Sequence, residues 1–151
     1  MGKTTLTIKR NECIAGMFDA AKALRNDFSS KVKGNPTGRD YGSFHSSIIL
    51  ESLSIELSLK HILENSKGTY SKTHSVRVLF GELESVTKNK IEAAYNAIKE
   101  TKPDWPILDD LISEVDSIFV DWRYATFDGR HLNIKVDSWN CLGDILKDEL
   151  V

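Results

Sequence analysis

The feature that most constrains the fold is a stretch, residues 43–66, that contains neither glycine nor proline. Within it the segment LSIELSLK, Leu53–Lys60, alternates apolar and polar residues, which alone is typical of a β-strand with one solvated face. The alternation does not extend through the consecutive apolar residues at either end, Ile48–Leu50 and Ile62–Leu63. The stretch is also far longer than a typical strand of about five or six residues. The pattern therefore predicts one long helix over residues 43–66.

Two charged residues lie inside the apolar face of this helix. Glu56 and Lys60 are four residues apart, in the order that favours an ion pair on a helix. At about 100° per residue they fall between Ile49 and Leu53, within an apolar arc that covers more than half of the helix surface. Buried charges are unfavourable unless they are paired. We therefore expect these two side chains to pair with each other, to meet other polar groups, or to line a cleft.

Helical periodicity recurs along the rest of the chain and predicts an all-α fold. The predicted elements are a helix over residues 8–28, a Gly/Ser/Asn/Pro-rich loop over 29–42, short helices over about 76–83 and 91–98, a fifth helix from Pro106 to about Thr126, a break over 127–137, and a last helix capped by Asp137 or Ser138. Together with the long central helix they predict one domain, residues 1–151, built as an up-and-down bundle of five or six helices.

Composition and charge narrow the function classes. The net charge of −2 gives no global attraction to nucleic acid or to an anionic membrane, so contact with either needs a local patch. No apolar run reaches the roughly 18 residues of a membrane-spanning helix, and the N-terminal residues do not resemble a signal sequence. We expect a cytoplasmic protein without membrane contact, in which Cys13 and Cys141 are reduced.

Local motifs give no evidence for a metal or another cofactor. The histidines, His45, His61, His74 and His131, show no spacing typical of zinc ligands. The segment GKTT at residues 2–5 imitates the end of a phosphate-binding loop but lacks the preceding strand and first glycine. We therefore expect neither a metal site nor a cofactor.

The segment DWRYAT, residues 121–126, closes the apolar stripe of the fifth helix. Arg123 falls at the border of the apolar face, so its guanidinium would be partly desolvated and would need acceptors. Two interpretations are open. Arg123 forms a structural ion pair with Glu56 or Asp116, or it binds an anion or a nucleotide with Tyr124 beside it.

Three segments, in this order, resemble the HEPN family: SIELSLKHIL, then GTYSKTHSVRVLF, then FVDWRYAT on a later helix. Members are small helical bundles that often carry a Glu-x-x-x-Lys pattern on an apolar helix, a Gly/Tyr turn, a His opening the next helix and a later Arg-Tyr pair. The resemblance covers roughly residues 50–126, about half of the chain. It implies a ligand-binding site formed by four residues, Lys60, His74, Arg123 and Tyr124.

The resemblance also implies candidates for catalysis. Many HEPN proteins are metal-independent ribonucleases with an Arg-x(4–6)-His motif near a dimer interface, and others bind nucleotide or nucleic acid without cleavage. Arg39 and His45 have the required spacing, with five residues between them, but they precede the central helix rather than lying on a later one. Arg123 and His131 are on the expected side of the chain but have seven residues between them.

Three functional hypotheses follow, in this order. The first is a HEPN-like homodimer that binds nucleotide or RNA without robust cleavage, in a toxin–antitoxin or phage-defence setting. The second is a metal-independent ribonuclease that uses one of the Arg/His pairs. The third is a non-catalytic interaction module, such as an antitoxin or immunity protein with a partner encoded nearby. In that case Glu56, Lys60 and Arg123 form only a buried polar network.

Overall fold

The computed structural model describes residues 9–128 and 135–150, with side chains over 9–118 and 135–150. Those residues form six helices: α1 (Arg10–Lys31), α2 (Gly38–Lys67), α3 (Val76–Glu82), α4 (Ser85–Lys99), α5 (Leu108–Asp128) and α6 (Val136–Asp148). No strand occurs within the described ranges. The all-α prediction is confirmed, and none of the described helices is long and apolar enough to cross a membrane.

Helices α1 and α2 form an antiparallel pair. Arg10 at the start of α1 forms an ion pair with Glu64 near the end of α2. At the other end of the pair, the ring of Phe28 on α1 lies 4.9 Å from the ring of Phe44 on α2, measured between centroids. The two helices therefore run side by side along most of α1.

Small side chains on α2 allow this close approach. Glu51, which contacts Arg25 of α1, marks the face of α2 that is turned toward α1. Ser47, Ser54 and Ser58 lie four residues before and three and seven residues after Glu51, so they share that face. All three serines are fully buried. Each hydroxyl donates to a carbonyl of the preceding turn of α2, at 2.6–2.8 Å, so no serine needs a partner from α1.

Helix α6 completes the packing around this pair. Trp139 is fully buried, and its indole Nε1 donates to Glu114 Oε1 of α5 at 2.9 Å. Gly143 lies directly against the Phe18 ring of α1, because a Cβ at this position would meet ring atoms at 2.8 and 2.9 Å. The core extends across all six helices. Its fully buried side chains include Ala21, Ile48, Ile55, Leu59, Leu63, Leu79, Ile91, Tyr95, Leu111, Val115 and Leu142.

The start of α2 differs from the sequence prediction. The helix begins at Gly38 rather than at residue 43, so the predicted loop is wrong for residues 38–42. Thr37 and Asp40 form a capping box: Thr37 Oγ1 accepts from the Asp40 backbone N–H at 3.4 Å, and Asp40 Oδ2 accepts from the Thr37 N–H at 2.8 Å. This reciprocal cap satisfies two N–H groups that a helix start leaves unpaired, and it offsets the low helix propensity of the local glycines.

Two other helix starts were also predicted wrongly. Helix α5 begins at Leu108, so Pro106 precedes the helix, where its carbonyl accepts from Tyr95 OH at 2.9 Å. The N-cap of α6 is Lys135, not Asp137 or Ser138. The Ser138 hydroxyl donates to the Lys135 carbonyl at 2.7 Å, so it is engaged inside the first turn and does not act as a cap.

Helices α1 and α4 are longer than predicted. α1 continues to Lys31, three residues beyond the predicted end at residue 28, and α4 begins at Ser85, before the apolar stripe that revealed it. Both cysteines have free thiols, with Cys13 exposed and Cys141 buried.

The contact at Gly143 predicts a steric effect on stability. We expect Gly143→Ala to destabilise the fold by about 1–3 kcal/mol, because its methyl group overlaps the Phe18 ring and the core must shift. Gly16→Ala is the matched control, since a Cβ there meets nothing within 4 Å and α1 would gain about 0.5–1 kcal/mol of helix propensity. Urea denaturation of both variants measures the difference. Equal midpoints would contradict the packing described for α1 and α6.

Candidate functional site

The candidate site is organised by a buried carboxylate on α2. Glu56 is 3% exposed, and its Oε1 accepts from Lys60 Nζ at 2.7 Å. The same oxygen lies 3.0 Å from Nδ1 of His74, which precedes α3. A carboxylate only accepts hydrogen bonds, so Nδ1 of His74 is the donor in this contact. One carboxylate thus orients two basic side chains.

Lys60 is held between a negative charge and an aromatic face. Its side chain is 15% exposed, and Nζ lies 5.6 Å from the centroid of the Tyr70 ring, within cation–π range. An ammonium group has three donors, of which Glu56 takes one. The remaining donors and the adjacent ring offer the two kinds of contact that a phosphate and a base require.

The connection between α2 and α3 is held in a defined conformation. Gly68 ends α2 with a φ of 72°, a left-handed conformation that glycine adopts without strain. The Ser71 backbone N–H donates to Glu82 Oε2 at 3.2 Å, and the Ser71 hydroxyl donates to Glu82 Oε1. These hydrogen bonds favour the charged carboxylate and lower the pKa of Glu82. Tyr70 and His74 are therefore carried by a connection that Glu82 anchors to α3.

The start of α3 is tied to α5. The Arg77 guanidinium donates to both carboxylate oxygens of Asp109, at 3.0 and 3.2 Å. The Arg77 backbone N–H donates to Asp116 Oδ1 at 3.3 Å. Asp116, one of the two acceptors considered for Arg123, thus accepts a hydrogen bond from the backbone of the first turn of α3.

The other predicted residues of this site lie on α5 or beyond it. Arg123 and Tyr124 belong to the backbone of α5, but their side chains lie outside the described residues, as does all of His131. The structure brings Lys60 and His74 together on Glu56. The predicted contact between Arg123 and Glu56 stays a prediction.

Arg39 and His45 both lie on α2, so the prediction that Arg39 lies on the loop over residues 29–42 is wrong. Six residues of helix separate them by about 240° of rotation and about 9 Å of rise. Arg39 is exposed in the first turn, and His45 is partly buried. The two side chains therefore leave α2 from different faces, which does not favour their convergence on one phosphate.

A second buried charged cluster joins α1, α2 and α6. Arg25 is 4% exposed and Glu51 is 1% exposed. The guanidinium donates from one terminal nitrogen to Glu51 Oε2 and from the other to Asn140 Oδ1 of α6. Arg25 Nε is buried without a hydrogen-bond partner among the described residues. The cluster fixes the relative position of three helices.

Sequence reasoning missed this cluster, although a signal for it exists. Arg25 continues the heptad-like spacing of Ile14, Phe18 and Ala21, so it lies on the buried stripe of α1. Glu51 lies three residues after Ile48 on the buried side of α2 in the same way. The signal in the sequence is therefore a charged residue on the apolar stripe of its helix, which holds for both Arg25 and Glu51.

Burial dominates the ionisation of Glu51. Desolvation raises the pKa of Glu51 to about 7, and the Arg25 guanidinium opposes this shift without cancelling it. The negative charge of Asp144 raises the pKa further, and Lys22 lowers it. A neutral Glu51 carboxyl still accepts from Arg25, so the contact persists on both sides of the titration.

Within the described residues, no group of three or more His, Cys, Asp and Glu side chains could hold a metal ion. Comparison with family models, curated proteins and solved structures gives no match to this chain. The resemblance to the HEPN family therefore rests on the motifs and stays a prediction.

The environment of Glu51 predicts a pH-dependent stability. Between about pH 4.5 and 7 the folded chain holds a proton that the unfolded chain releases, so the free energy of unfolding falls as pH rises through this window. We expect a fall on the order of 1–3 kcal/mol. Glu51→Gln removes this part of the slope, because glutamine does not titrate.

Urea denaturation of the parent chain and of Glu51→Gln between pH 5 and 8 measures the effect. The difference between the two pH profiles isolates Glu51, because both chains contain the same histidines and their contributions cancel. Glu100→Gln is the control, since Glu100 is exposed. Parallel pH profiles of the parent and Glu51→Gln would show that Glu51 titrates at its ordinary pKa.

Proposed function

We propose that this chain is a HEPN-like helical protein that binds nucleotide or RNA at a site centred on Lys60. The observation that carries this proposal is the Lys60 ammonium, held by Glu56 at 2.7 Å and 5.6 Å from the Tyr70 ring centroid. A cation for phosphate beside an aromatic face for a base is the combination by which proteins bind single-stranded nucleic acid without reading its sequence. In the proposed site, His74, Arg123 and Tyr124 complete the contacts.

The charge of the chain sets the expected character of binding. With a net charge of −2, long-range attraction to a polyanion is absent, so affinity depends on a few local contacts. For single strands each phosphate contact contributes a slope of about −0.7 in log affinity against log salt. A site built on Lys60 and Arg123 makes about two phosphate contacts, so its affinity is expected to fall only weakly as the salt concentration rises.

The homodimer is part of the same proposal. Its support from the sequence is the width of the apolar faces on two helices, together with the habit of the family that the motifs resemble. Shared contacts between two copies would extend the binding surface for RNA beyond a single Lys60 site.

A metal-independent ribonuclease is the second candidate, and one observation favours it. The Glu56–His74 pair has the arrangement in which a carboxylate orients an imidazole for general acid–base catalysis. Cleavage also needs a cation at the same phosphate. Because Arg39 and His45 lie on different faces of α2, that pair does not supply it. We therefore rank binding without cleavage first.

Binding is tested by replacing Lys60. We expect Lys60→Gln to weaken binding of a fluorescein-labelled single-stranded RNA oligonucleotide on the order of tenfold, since a charge-assisted hydrogen bond is lost. Glutamine keeps a donor for Glu56, so the buried carboxylate stays paired. Fluorescence anisotropy gives the dissociation constants, with ATP as a competitor to report nucleotide binding.

Lys33→Gln is the matched control, because it removes the same charge from an exposed position in the α1–α2 connection. Arg123→Ala is also expected to weaken binding, with circular dichroism to confirm that it folds. Unchanged affinity in folded Lys60→Gln and Arg123→Ala variants would contradict the proposed site and leave the cluster a purely structural network, as in an interaction module.

Catalysis is tested separately with the same RNA in the presence of EDTA. We expect no robust cleavage by the purified chain, because Arg39 and His45, the pair with the ribonuclease spacing, lie on different faces of α2 and do not converge on one phosphate. His74→Gln serves as the reference variant. Cleavage that persists in EDTA and disappears in His74→Gln would reverse the ranking in favour of the ribonuclease.

A further inference from the structure

A groove beside α6 shares no lining residue with the Lys60 site. It is a cleft of about 450 Å³ with a mainly apolar surface, open along one side. It lies between the outer face of α6 and the segment that runs from the last turn of α4 toward α5. Its walls are formed by Ile98, Lys102, Trp105, Asp137, Asn140, Cys141, Asp144, Ile145 and Asp148.

One wall of the groove is apolar and rigidly supported. Ile98 near the end of α4 is 42% exposed and contributes apolar surface to this wall. Trp105 stacks on the fully buried Tyr95, with ring centroids 6.2 Å apart and planes inclined by 29°. Ile145 of α6 faces this wall across the groove. The groove therefore exists in the folded chain and does not need an induced rearrangement.

The other wall is acidic. Asp137, Asp144 and Asp148 are spaced by seven and four residues, so they lie along one side of α6. Lys102 is the one basic residue in the lining, which carries three carboxylates against one ammonium. From outside the lining, Lys22 of α1 donates to Asp144 at 3.5 Å. The pKa of Cys141 is raised by burial and, second, by the negative charge of Asp144. The groove thus has an acidic wall on α6 opposite an apolar wall.

Three classes of occupant do not fit this groove. Phosphate-bearing ligands are repelled by the carboxylates. A small molecule would keep one side in water, whereas small-molecule sites cover roughly 70–90% of their ligand. A second copy of this chain in a two-fold contact would bring the same acidic wall against itself, because such a contact pairs identical surfaces.

We propose that this groove docks a basic amphipathic helix of a partner protein. The apolar side of such a helix fits against Ile98, Trp105 and Ile145, and its Lys or Arg side chains reach the carboxylates of α6. The acidic wall extends over twelve residues, Asp137–Asp148, or about 16 Å of helix rise, which matches about three turns of the partner helix. This docking is independent of nucleotide or RNA binding at Lys60, since the two sites use different helices.

The test uses a fluorescein-labelled 14-residue peptide with leucine at helical i, i+3, i+4, i+7 spacing and lysine elsewhere, and a counterpart with glutamate for lysine. We expect Ile98→Lys to weaken binding of the basic peptide at least about tenfold, because it removes apolar surface and adds a positive charge to the acidic groove. Val86→Lys is the matched control: Val86 is 80% exposed at the other end of the same helix, and its affinity stays within about twofold of the parent.

A second pair of variants tests the acidic wall. Asp144→Asn with Asp148→Asn is expected to weaken binding about fivefold, while Asp27→Asn with Asp110→Asn, which removes two exposed carboxylates elsewhere, leaves it unchanged. Circular dichroism verifies folding of all variants, and Lys60→Gln should bind the peptide normally.

Several outcomes would overturn the proposal. These are no binding of the basic peptide by the parent up to about 1 mM, equal affinity for the glutamate peptide, or equal loss in Ile98→Lys and Val86→Lys. Sedimentation showing a dimer that Ile98→Lys dissociates would assign the groove to a second copy instead.

Discussion

The buried ion pair of Arg25 and Glu51 is the constraint on which the packing depends. An arginine stays charged at any physiological pH, so a guanidinium that is 4% exposed must be given acceptors by the fold. Glu51 and Asn140 supply them from two other helices. Helix α1 therefore cannot rotate or slide against α2 or α6 without leaving a buried charge unpaired. Apolar packing alone would tolerate such shifts more easily.

Helix α2 carries two buried glutamates that have separate roles. Glu51 and Glu56 are five residues apart, so they point in directions that differ by about 140°. Glu51 faces α1 and a fully enclosed partner, whereas Glu56 faces the connection before α3 and partners that reach the surface. The first glutamate determines how helices are arranged. The second determines where a lysine and a histidine are presented to solvent, which is the property that a binding site requires.

Much of the helical architecture could be predicted, because apolar residues recur at helical spacing on α1 and α5, and because the stretch that forms most of α2 is too long for a strand and contains no glycine or proline. The start of α2 could not, since the glycines at 38 and 42 suggest a loop and the Thr37–Asp40 capping box is recognised only when its spacing is examined. The pair of Glu56 and Lys60 follows from i,i+4 spacing. The approach of His74 to the same carboxylate does not, because it depends on the path of the chain between α2 and α3. The burial of Arg25 does not follow from α1 alone, because its acceptors Glu51 and Asn140 come from two other helices.

The serines that line the α1-facing side of α2 bear on how such a sequence diverges. Each hydroxyl is satisfied by its own helix, so the packing needs only a small side chain and not a hydroxyl. Alanine and glycine occupy similar space, and descendants of one ancestor can exchange these residues while the helix pair stays the same. The closely packed contact between α1 and α2 is therefore formed on the α2 side by small residues that can be exchanged for one another. An evolutionary relationship between such chains is easier to recognise from the charged residues enclosed between α1 and α2 than from the similarity of the small residues around them.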